Sequence, residues 1–254
     1  MSANAVELEG VSVRYGRGMA FARTWFDAVK QVDLRIETGE TLGLVGESGS
    51  GKSTLAKVCL GLLRPSQGRA RLEDEDLFGI GRRRPGSLAA VLQHPEWSLN
   101  PKLSIGRSIA EPLGVAGVRG AEAANRVAQM LDKVGLNAAY AKRLPHELSG
   151  GQRQRASIAR ALATMPRFIV FDEAVSALDV SIQAQILNLL KALQQEFRFA
   201  ALFISHDLGA VRYVSHQVVV LKQGVVQERA PARAFYEPMA NPYVRQLQTD
   251  SGLI

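Results

Sequence analysis

Apolar residues alternate with polar ones at Val6 and Leu8, at Val11 and Val13, and again at Val32, Leu34 and Ile36, the two-residue period of half-buried strands. The stretch between them, Gly16 to Asp27, has no such period and reads as a loop. Thr38 and Gly39 supply a turn, Thr41 to Val45 is a short apolar strand, and the glycine-rich stretch after it leads into helix-like spacing over Ser53 to Leu63. The period changes again after Ile105, where Ala124, Val127, Ala128, Leu131 and Val134 recur three and four residues apart and predict helix from Ile105 to Val134. Phe168 to Phe171 and Ala200 to Ile204 are continuous apolar strands on either side of an amphipathic helix marked by Ile182, Ile186, Leu189, Leu190, Leu193 and Phe197. Continuous apolar strands alternating with helices predict an α/β fold with a largely parallel sheet covered on both faces. A mostly helical insertion is expected over residues 95–160.

At 254 residues the chain can bury one large α/β core without a disulfide. The single cysteine, Cys59, lies among Leu55, Val58, Leu60 and Leu62 and is expected to be a small buried apolar residue. The longest apolar runs, such as Phe199 to Ile204, fall well short of the roughly 18 residues of a membrane-spanning helix, and no basic-then-apolar leader opens the chain. A net charge of +7 admits nucleic acid, anionic lipid or phosphate-rich ligands. The basic residues are scattered, with only Arg82 to Arg84 forming a run and no base-stacking aromatic array beside them, so nucleic acid is not an expected partner.

Three elements carry chemistry. Gly46, Glu47, Ser48, Gly49, Ser50, Gly51, Lys52 and Ser53 fit the phosphate-loop pattern between a strand and a helix, where that pattern has physical meaning. The glycines let backbone N–H groups and the helix N-terminus wrap an anion, Lys52 would reach the β- and γ-phosphates, and the Ser53 hydroxyl would ligate Mg²⁺. The strand Phe168 to Phe171 then delivers adjacent carboxylates, Asp172 to hold Mg²⁺ and Glu173 to orient and deprotonate an attacking water. Finally, Leu148, Ser149, Gly150, Gly151 and Gln152 precede a helical run, with Ser149 placed to cap it and two glycines leaving its N-terminal N–H groups open to a second phosphate.

In order and separation these elements resemble the ATP-binding cassette family over nearly the whole chain. The resemblance implies a phosphate-loop ATPase: a RecA-like, mostly parallel sheet with an N-terminal antiparallel β part and a helical subdomain. Residues 1–94 and 161–254 would form the core and β parts and residues 95–160 the helical subdomain. It also implies a head-to-tail dimer in which ATP and Mg²⁺ lie between the phosphate loop of one cassette, Thr54 included, and Ser149 to Gln152 of a second, identical or homologous, ATPase subunit. Tyr15 falls where the family stacks an aromatic ring on adenine, with Phe21 and Trp25 as alternatives. Gln93 matches the glutamine that senses Mg²⁺ and the attacking water, His206 the histidine on the γ-phosphate, and Ser176, Ala177, Leu178 and Asp179 the loop that crosses the dimer interface.

Ser98-Leu99-Asn100-Pro101 and Asn241-Pro242-Tyr243-Val244-Arg245-Gln246-Leu247 are similar to stretches in importers of dipeptides, oligopeptides and nickel. Ala174 and Val175 depart from the Pro-Thr common after the acid pair and are similar to some nickel-importer subunits. The implied function is ATP hydrolysis that energises uptake of peptides or nickel chelates at the cytoplasmic face of a bacterial inner membrane, with the chain held there peripherally. Its partners would be two permease subunits and, indirectly, an extracytoplasmic solute-binding protein. The Gln93 to Pro101 segment would dock on a permease, with Trp97 and Leu99 among the apolar contacts. The alternative is a soluble cassette ATPase that remodels a macromolecular assembly.

Overall fold

In the computed structural model, which describes residues 4–17, 24–79, 84–94 and 98–252, strand β1 (Asn4–Arg17) is the centre of an antiparallel sheet. It pairs with β2 (Thr24–Glu37) on one side and β4 (Gln67–Leu72) on the other, and β4 carries the short β5 (Glu75–Asp76). The alternation that predicts these strands is a burial pattern: Val29, Val32, Leu34 and Ile36 are buried and the residues between the last three are exposed. Glu7 is the buried exception on β1. It is held by Arg35 of β2 at 2.6 Å, with Arg71 of β4 at 3.9 Å.

The chain divides into two compact units. The first, Met1–Gly81 with Ala200–Ile254, holds the antiparallel sheet and a parallel set in which β3 (Thr41–Val45) lies between β8 (Ala200–Ile204) and β9 (Gln217–Lys222). β10 (Val225–Pro231) returns antiparallel to β9. All five residues of β3 and of β8 are buried, as strands covered on both faces require. Helix α1 (Lys52–Cys59) leaves β3 through the glycine loop, and α6 (Leu208–Val214) packs so close to β3 that a Cβ on Gly43 would stand 2.3 Å from Val211 Cγ1. The unit closes with α7 (Pro242–Asp250).

The second unit, Arg82–Phe199, pairs β6 (Leu88–Leu92) in parallel with β7 (Phe168–Asp172). Among its described residues are the α-helices α2 (Ile105–Val115), α3 (Gly120–Lys133), α4 (Gly150–Leu162) and α5 (Val180–Phe197). Ser104 caps α2, and the Phe171 and Phe199 rings meet at a centroid distance of 6.3 Å.

Four expectations need correction. The expected loop from Gly16 to Asp27 is in part strand: Tyr15 pairs with Phe26 and Gly16 with Trp25, and an ion pair joins Arg14 to Asp27 at 2.6 Å. Phe26 and Trp25 are 60% and 58% exposed, so this end of the hairpin lacks the buried face that produces alternation. The helix expected to reach Leu63 stops at Cys59, where Gly61 turns the chain with φ +66°. The run from Ile105 to Val134 is two helices, separated at residues 116–119 with Gly117 at φ +86°. Leu99 is 1% exposed, a core residue and no docking contact. Phe21, Arg82, Arg83 and Trp97 lie outside the described residues.

Candidate ATPase site

The first unit builds the glycine loop. Strand β3 ends at Val45 and the chain runs through residues 46–51 before entering α1 at Lys52, the strand, glycine loop and helix succession in which loop N–H groups and a helix N-terminus can face an anion. Gly51 is the N-cap at φ 109°, a conformation an L side chain rarely adopts, and a Cβ there would meet the Ala28 carbonyl at 2.5 Å. Lys52 is buried. Its ammonium donates to the Gly46 carbonyl at 2.6 Å and the Glu47 carbonyl at 2.8 Å, and reaches Ser50 Oγ at 3.4 Å. The charge is thus fixed inside the loop by the loop's own carbonyls. Glu47, Ser48 and Gly49 are exposed along the rim, and Ser53 is exposed in the first turn of α1. Thr54 Oγ1 lies 3.5 Å from the Tyr15 hydroxyl, so of the aromatic candidates Tyr15 is tied to the helix that follows the loop.

His206 follows β8, which runs parallel to β3 with Leu44 opposite Ile204. The phosphate loop and His206 therefore leave the same end of adjacent strands, where ligands gather in parallel sheets. His206 is exposed, while Asp207 turns away to cap α6 by accepting from Ala210 N at 3.0 Å.

The second unit collects the acids. Leu92 of β6 pairs with Asp172 of β7, so Gln93, exposed at the next position, and Glu173 emerge side by side from one strand end. Glu173 has φ +53°, an uncommon conformation for a residue with a side chain. Its carbonyl is held by Ser176, which donates from Oγ at 2.9 Å and from N at 3.2 Å. Ala174 and Val175 are 2% and 1% exposed, so the departure from Pro-Thr is a pair of core contacts.

The same unit presents a second glycine-opened helix N-terminus, that of α4. Ser149 caps α4 by accepting from Gln152 N at 3.3 Å, and Gln152 Oε1 accepts from Ser149 N at 3.0 Å, a reciprocal capping box. A hydroxyl that accepts one hydrogen bond still has a proton to donate. Gln152 also donates through Nε2 to the Tyr140 hydroxyl at 2.9 Å, so its side chain is committed on both ends. Gly151 is where α5 crosses closely: a Cβ would stand 2.7 Å from Ile182 Cγ2. Leu178 lies beside Gly150, which places Asp179, exposed and making no capping hydrogen bond through its side chain, near the same helix end.

Three contributors escaped the sequence reading. The β9–β10 turn braces the phosphate loop through Gly224 N donating to Ser50 O at 2.9 Å, Tyr140 holds Gln152, and Tyr243 faces Glu47. The first two lie 174 and 12 residues from their partners, as numbered, and no local pattern announces such pairings.

A strand, glycine loop and helix with a buried lysine, together with an acid pair at a second strand end, define a nucleotide-phosphate-binding ATPase of the phosphate-loop class. The family model for ABC transporters matches residues 29–176, more than half of the chain. The chain belongs to the ABC transporter family, as an ATP-hydrolysing cassette. It is 49% identical over 231 residues to a protein named as a peptide import ATP-binding protein in Brucella abortus (strain 2308), covering 87% of this chain and 68% of that one. It is 48% identical over 228 residues to the glutathione import ATP-binding protein GsiA of Escherichia coli (strain K12), covering 87% of this chain and 36% of GsiA. Among solved structures, the dimeric post-hydrolysis state of the ATP-binding cassette MJ0796 bound to ADP and Pi matches with TM-score 0.77 and 31% identity, over 90% of this chain and 99% of that one. Clostridium perfringens cbiO1, at 24% identity and TM-score 0.79 over 97% and 95% of the two chains, shares the fold.

Proposed function

We propose that the chain energises import of peptides through two membrane-embedded permease subunits, working at the cytoplasmic face of the membrane as a peripheral subunit paired with a second cassette. The observation that carries this is the presence, in one chain, of both a phosphate cradle around Lys52 and a second glycine-opened helix end at Ser149, which a head-to-tail pair would bring to opposite sides of one nucleotide. The dimeric state of MJ0796 supports that pairing. Peptide cargo, in preference to nickel, is supported by the names of the Brucella and Escherichia relatives. Residues 95–160 are assigned as the helical subdomain and residues 1–94 and 161–254 as the remainder of the cassette.

Tyr15 is assigned to adenine; Gly46 to Thr54 take the phosphates; Ser149 to Gln152 and Asp179 take the partner's nucleotide. The Ser53 hydroxyl, the Asp172 carboxylate and the Gln93 amide oxygen are hard oxygen donors that suit Mg²⁺. When bound, Mg²⁺ offsets negative charge on the β- and γ-phosphate oxygens. Gln93 orients the attacking water and Glu173 accepts its proton as the water oxygen bonds to the γ-phosphorus. His206 steadies the γ-phosphate while its bond to the bridging oxygen breaks, leaving ADP and phosphate.

Reconstitution with the two permeases and the second cassette tests the reading. ATP turnover should rise when a peptide-loaded solute-binding protein is added, and Lys52→Ala should abolish nucleotide binding. Stimulation by a nickel chelate alone would overturn the cargo assignment, and parental nucleotide affinity in Lys52→Ala would overturn the phosphate-loop assignment.

A further inference from the structure

The helix end at Ser149 is held by a side chain that is itself held. Gln152 Oε1 accepts from Ser149 N at 3.0 Å, Gln152 N donates to Ser149 Oγ at 3.3 Å, and both bonds lie at the exposed surface. Water competes for each, so the capping box alone restrains the long Gln152 side chain only weakly. The third bond, from Gln152 Nε2 to the Tyr140 hydroxyl at 2.9 Å, is partly buried and less open to that exchange. It also sorts the amide. With Nε2 turned to Tyr140, Oε1 faces the Ser149 N–H, whereas a flipped amide would set a donor against that N–H.

Tyr140 has a firm base within the same unit. It lies in a short 3₁₀ segment, Ala138–Lys142, capped by Asn137 Oδ1, which accepts from Ala139 N at 2.9 Å. The Arg143 guanidinium stands over the Tyr140 ring, 4.3 Å from its centroid, a cation–π contact. The Arg143 carbonyl accepts from Ile105 N, at the first residue of α2, at 2.8 Å. A Cβ on Gly106 would stand 3.0 Å from the Ala141 carbonyl, so the segment lies hard against the start of that helix. An unbroken series of contacts therefore runs from the start of α2 through Arg143 and Tyr140 to Gln152 and Ser149.

We propose that Tyr140 is a positioning residue for hydrolysis at the partner cassette's site: through Gln152 it holds the backbone and hydroxyl of Ser149 in place for the nucleotide across the dimer. This rests on the assignment of Ser149 to the partner's nucleotide. Tyr140 touches no reacting group, and its effect belongs to the trans half of the site alone. The loop around Lys52 is built by the other unit of the chain, with bonds of its own, so nucleotide binding to a single cassette does not depend on Tyr140. Small errors in the placement of a group that completes an active site are read in turnover, because the site works only at the productive geometry.

Turnover is measured in the complete complex, with both permeases and the second cassette, and the Kd for ADP on the full chain alone. Tyr140→Phe, which keeps the ring under Arg143 and removes the hydroxyl, should lower kcat about threefold to tenfold, the scale of one hydrogen bond, and leave the Kd for ADP at the parental value. Tyr140→Ala should lower kcat further. Gln152→Leu should lower kcat by itself, and adding Tyr140→Phe to it should have no further effect, since the hydroxyl acts through that amide. Parental kcat in Tyr140→Phe overturns the proposal. So does a loss that multiplies with that of Gln152→Leu, which places the hydroxyl's effect elsewhere, or a fall in kcat matched by an equal rise in the Kd for ADP, which makes Tyr140 a general structural contact. Ser149→Arg, measured alongside, separates this role from the reading beneath it. Parental turnover in that variant defeats the trans assignment of Ser149, whereas lost turnover there with parental turnover in Tyr140→Phe defeats the positioning role alone.

Discussion

Gly46→Ala tests whether the phosphate loop is shaped by the strand behind it. Gly46 has φ +150°, where an L residue is strained by about 1–3 kcal/mol. An added Cβ would also stand 2.1 Å from the Leu221 carbonyl oxygen and 2.9 Å from Ser50 Oγ. The first is backbone of β9 and cannot rotate away, so loop and strand must part by roughly 1 Å, an overpacking strain of about 1–3 kcal/mol. Taking about 3 kcal/mol in all, and about 2–4 °C of midpoint per kcal/mol in a chain of this size, the melting temperature should fall by roughly 6–12 °C. The same displacement moves the Gly46 carbonyl that Lys52 holds at 2.6 Å, so the ammonium loses its place and nucleotide affinity should fall by more than about tenfold, or 1.4 kcal/mol. Differential scanning fluorimetry and a fluorescent-nucleotide titration read the two effects. A variant that melts within about 2 °C of the parent and binds nucleotide equally would show that the loop is not braced by β9, and the reasoning from Leu221 would be wrong.

Glu173→Gln keeps size and hydrogen bonding but cannot accept a proton, so single-turnover assays should show hydrolysis slowed by roughly 10²–10⁴-fold with nucleotide binding retained; equal turnover would remove Glu173 from the chemistry. Ser149→Arg should leave each cassette able to bind ATP yet stop turnover, because the bulky cation obstructs the partner's nucleotide, and lost binding in the monomer would refute the trans role. The fully buried Cys59 thiol is pushed by desolvation from 9.0 to about 12. Its folded value lies above its unfolded one, so this stabilisation is intact below about pH 9 and is lost as pH rises toward about 12. The unfolding midpoint of the parent should therefore drop more steeply across that window than that of Cys59→Ala, and parallel curves would contradict the burial argument.

Period and spacing were enough to read the two-sided burial of β3, β7 and β8, the glycine loop, the acid pair and the cap at Ser149, because each is written in residues that are neighbours in the chain. Alternation reports a half-buried face, an unbroken apolar run reports two covered faces, and a glycine loop before a helix reports a cradle, all without knowledge of partners. The outer part of the β1–β2 hairpin was not legible, since Trp25 and Phe26 are exposed and only cross-strand pairing orders them. Nor were the positive φ at Glu173, fixed by Ser176 turning back on its carbonyl, and the burial of Leu99. The brace of Gly224 on Ser50 and the approach of Tyr243 to Glu47 join segments far apart in sequence. Chain neighbours fix which groups a loop contains, whereas the shape and stiffness of that loop come from backbone and side chains delivered by the fold, and those no local period encodes.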